Sequence, residues 1–84
     1  MVIIRNVYMS NKKVAVQIAG IGNNASNATV EILENGNILD SKPVNNSTIL
    51  LDVTSDNQNH QVSAQVRLNS NVVATSLPFL LKFS

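Results

Sequence analysis

Alternation of apolar and polar residues with a period of two constrains this chain more than any other property of its sequence. Val62, Ala64, Val66 and Leu68 alternate with Gln61, Ser63, Gln65 and Arg67. Successive side chains of an extended strand point to opposite faces, so such a segment lays one apolar side on a core and shows the other to water. Val14, Val16 and Ile18 repeat the pattern in residues 14–19, and Ile49, Leu51 and Val53 repeat it in residues 47–53. The last segment places Val73, Thr75, Leu77, Phe79, Leu81 and Phe83 on one face. A 3.6-residue repeat persists nowhere, which argues against helix.

Turn signals separate these segments. Thr29–Glu34 is joined to Asn37–Leu39 by Asn35-Gly36, a pair suited to a type I′ hairpin because both central residues of that turn need positive φ. A two-residue loop sets Glu34 opposite Asn37, Leu33 opposite Ile38, Ile32 opposite Leu39 and Glu31 opposite Asp40. The first pairs favour the register, while the Glu31–Asp40 pair of like charges opposes it. Lys42-Pro43 ends the hairpin, Asp56–Asn59 forms a polar loop, and Asn69, Ser70 and Asn71 make another turn. With an opening segment Ile3–Met9, the chain reads as seven short strands, an all-β immunoglobulin-like or fibronectin III-like sandwich. Its expected core is Val14, Val16, Ile18, Val30, Ile32, Ile49, Leu51, Val62, Ala64, Val66 and Leu68.

Residues 1–84 suffice for a single domain, since a chain of this length buries only ~60 to 65% of the surface that its unfolded form exposes. There is no cysteine, so neither a disulfide nor a thiolate zinc cluster nor a thiol nucleophile is available. Six basic and five acidic residues are scattered without runs, and the only aromatics are Tyr8, Phe79 and Phe83. That pattern lacks the basic stripe and stacking platforms of a nucleic-acid binder. Apolar runs such as Val2–Ile4 and Leu77–Leu81 fall far short of the ~20 residues that span a bilayer. The N-terminus does not read as a secretory signal.

Asparagine is over-represented, with thirteen residues that mostly lie between apolar runs. Asn tolerates left-handed backbone and caps turns, so its abundance fits a β protein with many reversals. Four Asn-X-Ser/Thr sequons begin at Asn24, Asn27, Asn45 and Asn46 and make these residues candidate glycosylation sites in two loops.

Catalytic chemistry finds little support. Any triad or imidazole–metal arrangement would have to pass through His60, the sole histidine, which reads as part of a solvated loop. Asp52, Asp56, Asn57, Asn59 and His60 could offer ligands to calcium, but their spacing matches no EF-hand and lacks a closing bidentate Glu. Glu31, Glu34 and Asp40 read as exposed carboxylates that aid solubility. No phosphate loop or nucleophile elbow is present. The expectation is a protein with no catalytic residues, no cofactor and no metal.

The segment Ala19–Leu39, AGIGNNASNATVEILENGNIL, joins a strand ending in Gly22-Asn23, a short Ala/Ser/Asn loop, and Val30, Ile32 and Leu33 leading into a Gly-centred hairpin. It resembles the CARDB family of cell-adhesion-related immunoglobulin-like domains of bacterial and archaeal surface proteins. The resemblance implies a sandwich fold and a role in adhesion at a cell exterior or particle surface. Expected partners are proteins, through self-association or a larger surface assembly such as a filament, appendage or virion. Phe79, Leu81 and Phe83, beyond Pro78, are the expected interface, the alternative being that Phe79 and Phe83 close the open end of the domain's own core. The alternative is recognition of carbohydrate or protein by the Asn-rich loops.

Overall fold

The structure is a computed structural model that describes the backbone of residues 1–84 and every side chain except that of Asn24. Eight strands run in the order β1 (Ile3–Ser10), β2 (Lys13–Ala19), β3 (Ala28–Glu34), β4 (Asn37–Pro43), β5 (Thr48–Asp52), β6 (Asn59–Leu68), β7 (Asn71–Thr75) and β8 (Phe79–Lys82). A 3₁₀ segment, Gly22–Asn27, links β2 to β3, and no α-helix occurs among the described residues. Strands β1-β2-β5 form one antiparallel sheet. The other has the order β4-β3-β6-β7, with β8 also paired to β6. The inner faces of both sheets meet in one core that includes Val7, Val14, Val16, Ile32, Leu51, Val62 and Val66.

The expected core residues are buried, except Leu68, which is half-buried near the end of β6. Val7, Ala28, Val44 and Phe83 join them. The count is eight strands rather than seven because the last segment is broken. β7 pairs with Gln65–Leu68 of β6 and β8 with Asn59–Val62, so the two lie end to end along the same side of β6. The break falls at residues 76–78. There Ser76 spans the gap: its N–H donates to the Ala64 carbonyl at 2.8 Å, and its Oγ accepts the Ala64 N–H at 2.8 Å. The ladder register shifts between Val66 and Arg67, which turns Ala74 toward the core and leaves Val72 and Thr75 exposed. Residues 73–83 therefore do not share one face, contrary to the alternation of the sequence.

Three hairpins close with two-residue turns in which both central residues have positive φ. They are Asn11-Lys12 (50° and 66°), Asn35-Gly36 (52° and 78°) and Asn69-Ser70 (50° and 74°). An asparagine takes the first left-handed position in each, a direct use of the asparagine excess.

At the Asn35-Gly36 hairpin, Glu34 pairs with Asn37 and Leu33 with Ile38, as the sequence predicts. Beyond them Leu39 is bulged out, so Ile32 meets Asp40 and Glu31 meets Ser41. The bulge removes the Glu31–Asp40 repulsion. It also turns Asp40 toward the neighbouring sheet, where its Oδ2 accepts the Asp52 N–H at 2.7 Å. Lys42 Nζ sits 3.0 Å from Asp52 Oδ2 and 3.8 Å from Asp40 Oδ2, and Lys13 also bonds Asp52. This charged seam joins the β4 and β5 edges. Its hydrogen bonds, from Lys13 first and Lys42 second, hold the Asp52 carboxyl below its usual range. The bond to Asp52 and the Asp40 charge raise the Lys42 ammonium.

Candidate functional site

The clearest convergence of polar chemistry lies at the end of the sandwich that carries the Asn35-Gly36 turn. His60 belongs to β6 rather than to a loop, and its pairing with Leu81 orders its backbone. It shares the parity of Val62, Ala64 and Val66, so its ring turns to the inner side. There it stacks on Phe83 with centroids 3.9 Å apart and planes 11° from parallel. Its Nδ1 lies 2.8 Å from Glu34 Oε2 and its Nε2 lies 2.8 Å from Asp56 Oδ2. Glu34 is supplied by the last residue of β3, and Asp56 by the loop between β5 and β6.

Carboxylates only accept, so both contacts are hydrogen bonds only when both ring nitrogens carry protons. The bond to Glu34, opposed by partial burial and helped by the bond to Asp56, raises the imidazole pKa above its ordinary value. Asp56 is lowered, first by the Gln58 N–H that donates to its Oδ1 at 3.0 Å and then by His60. An open concavity of about 590 Å³ adjoins the group, lined by residues that include Leu39, Asp52 and Val53. No three His, Cys, Asp or Glu side chains are placed to hold a metal ion among the described residues.

Several sequence expectations change here. His60 is not a solvated loop residue, because two carboxylates and an aromatic ring hold it. Glu31, Glu34 and Asp40 do not cluster: Glu34 meets His60, Asp40 joins the charged seam, and Glu31 is buried on the outer face of β3. Glu31 Oε1 accepts from Gln65 Nε2 at 2.6 Å and from Arg67 Nε at 3.2 Å.

Phe83 is 2% exposed and belongs to the domain's own core, against which Phe79 and Leu81 also pack. These three residues face inward, which corrects the expectation that they present an interface. What β8 shows to solvent is the alternate side, Leu80 at 70% exposure, and just before it Leu77 at 81%. β8 pairs only with β6. The Phe83 N–H and carbonyl bond Gln58 and Asn57, so by antiparallel alternation the peptide groups of Leu80 and Lys82 point to the open edge, where the Lys82 carbonyl already accepts the Ser84 N–H at 2.9 Å.

The opposite end of the sandwich collects the loops between β2 and β3 and between β4 and β5, together with the β6–β7 turn, where the Asn69 N–H donates to the Asn27 carbonyl at 3.2 Å. Asn27, Asn45 and Asn46 are exposed there, while the side chain of Asn24 lies outside the described residues. A shallow groove of about 450 Å³ runs between these loops. Compared with protein families, curated proteins and solved structures, the chain matches none of them.

Proposed function

We propose that this domain is a non-catalytic interaction module, an immunoglobulin-like or fibronectin III-like sandwich of CARDB-like type, that self-assembles or packs into a surface assembly through its terminal strand. The observation that carries the reading is Leu77 and Leu80, 81% and 70% exposed beside the open edge of β8. Burying each leucine against a neighbour would stabilise an assembly by ~1.5 to 3 kcal/mol, and strand addition would pair the free amides. Two sheets of three and five strands, with the last strand split in two, support the sandwich type. Exposed Asn27, Asn45 and Asn46 suit a cell exterior or particle surface.

The test is size-exclusion chromatography with light scattering over a range of concentrations. The native chain associates as concentration rises, whereas Leu77→Asp with Leu80→Asp stays monomeric and keeps its β spectrum. A native chain that remains monomeric at the highest concentration, alone and with candidate protein partners, refutes the reading.

A second reading, recognition of carbohydrate or protein by the Asn-rich loops, is favoured by the groove that the β2–β3 and β4–β5 loops line at one end. A glycan array tests its carbohydrate form, and binding that survives the Leu77 and Leu80 substitutions but not changes at Asn45 and Asn46 would favour it.

A further inference from the structure

The Glu34–His60–Asp56 group lies outside the strand edge just discussed and makes a different demand on the protein. Three separate elements converge on one imidazole: the end of β3 supplies Glu34, the β5–β6 loop supplies Asp56, and the segment after β8 supplies Phe83. A neutral imidazole has one N–H and can satisfy only one of two acceptors. We propose that His60 is a proton-operated clasp: doubly protonated, it ties the β3–β4 turn to the β5–β6 loop across Phe83, and on losing one proton it releases the Asp56 carboxylate, while Asn57 and Gln58 stay bonded to Phe83.

The released partner is Asp56. Its carboxylate is the more exposed of the two, at 36% against 28% for Glu34, and it retains the Gln58 N–H when the imidazole lets go. The neutral ring then keeps Nδ1–H on Glu34. Release frees the Asp56 carboxylate on one wall of the adjoining concavity, the wall that Val53, Thr54 and Asp56 supply from the loop after β5.

The other charged groups around the imidazole favour this assignment. Asp52, across the concavity, is occupied by Lys13 and Lys42. Asp40 of β4 lies in the same seam, 3.8 Å from Lys42. Leu81 is paired with His60 in the ladder, and Lys82 is paired with Asn59 on the exposed face of β8. The groups that bond the ring are thus two acceptors, with no cation bonded to either of them among the described residues.

The sign follows from the folded state holding the proton more tightly than the unfolded chain. The contribution is full below the ordinary histidine value of about 6.5 and is lost as pH rises through the folded-state midpoint. At the acid end, Asp56 holds its side of the clasp above its ordinary value of 3.8 and loses it as pH falls through its lowered midpoint. The Asp56 side of the clasp is therefore held from about its ordinary value of 3.8 up to about pH 6.5.

The sole histidine gives an unambiguous resonance for the test. An NMR titration of the intact chain should place the His60 midpoint above the ordinary value, and the amide signals of Asn57 and Gln58 should move with that same midpoint. Glu34→Gln should lower the midpoint. Asp56→Asn should lower it less and uncouple the loop amides from it. A midpoint at or below about 6.5, or loop amides that do not follow the imidazole, overturns the proposal. Both readouts come from the folded monomer, so they succeed or fail independently of the assembly reading.

Discussion

Replacing Phe83 by alanine tests whether the segment after β8 belongs to the domain itself. Phe83 is 2% exposed, packs into the core cluster and stacks on His60. Truncating a buried phenylalanine removes its transfer free energy and leaves a cavity, at a cost of ~3 to 5 kcal/mol. A chain of this length has a total stability of only ~4 to 12 kcal/mol. The substitution therefore removes about a quarter or more of it. At ~4 to 8 °C per kcal/mol for domains of this size, Tm should fall by roughly 12 °C or more. In urea, with a slope near ~1 kcal/mol per molar, the midpoint should drop by ~3 M. Thermal and urea melts followed by far-UV circular dichroism read both quantities. Leu80→Ala, three residues away and 70% exposed, is the internal control and should change stability by no more than ~0.5 kcal/mol. If Phe83→Ala costs no more than Leu80→Ala, the terminal segment is not part of the core and the described packing is wrong.

Two further outcomes follow from the turns and the charged seam. Ser70 holds φ of 74° at the second position of a type I′ turn, so Ser70→Gly should stabilise the domain by ~0.5 to 1 kcal/mol in a urea melt. Asp52 is lowered by Lys13 and Lys42, so its contribution is present above its ordinary 3.8 and is lost as pH falls through the lowered folded value. Asp52→Asn should accordingly flatten the acid limb of the Tm profile and weaken its dependence on salt.

The strands were legible because this sandwich solvates one side of most of them, and period-two alternation then marks the core directly. The hairpin register was legible only as far as Leu33 and Ile38, the pairs that the turn itself dictates. Past them, relief of a like-charge pair and capture of the Asp52 amide by Asp40 accompany the shift of register, and the second depends on another strand, β5. The split between β7 and β8 was hidden by apolar residues on both parities, since Val72, Val73, Leu77 and Leu80 give no polar contrast. Pro78 was the local warning. His60 was obscured by polar neighbours, yet the alternation of β6 extended back from Val62 would have placed it on the inner face. Its partnership with Glu34, 26 residues away, has no local signal at all.

Hairpin closure and strand docking have different time scales, which gives the turn geometry a kinetic consequence. The β1–β2, β3–β4 and β6–β7 hairpins are closed by preformed left-handed turns and can form within ~1 to 10 μs. The sandwich needs in addition the pairings of Val14 with Leu51 and Val30 with Val66, which close long loops. Such non-local topologies fold in milliseconds to seconds. β6 meets β3 on one side and β7 and β8 on the other, so its docking onto β3 is the step that completes the larger sheet. Truncation of Val66 should then slow folding, whereas a better turn at Ser70 should act mainly by stabilising a hairpin already formed before the slow step.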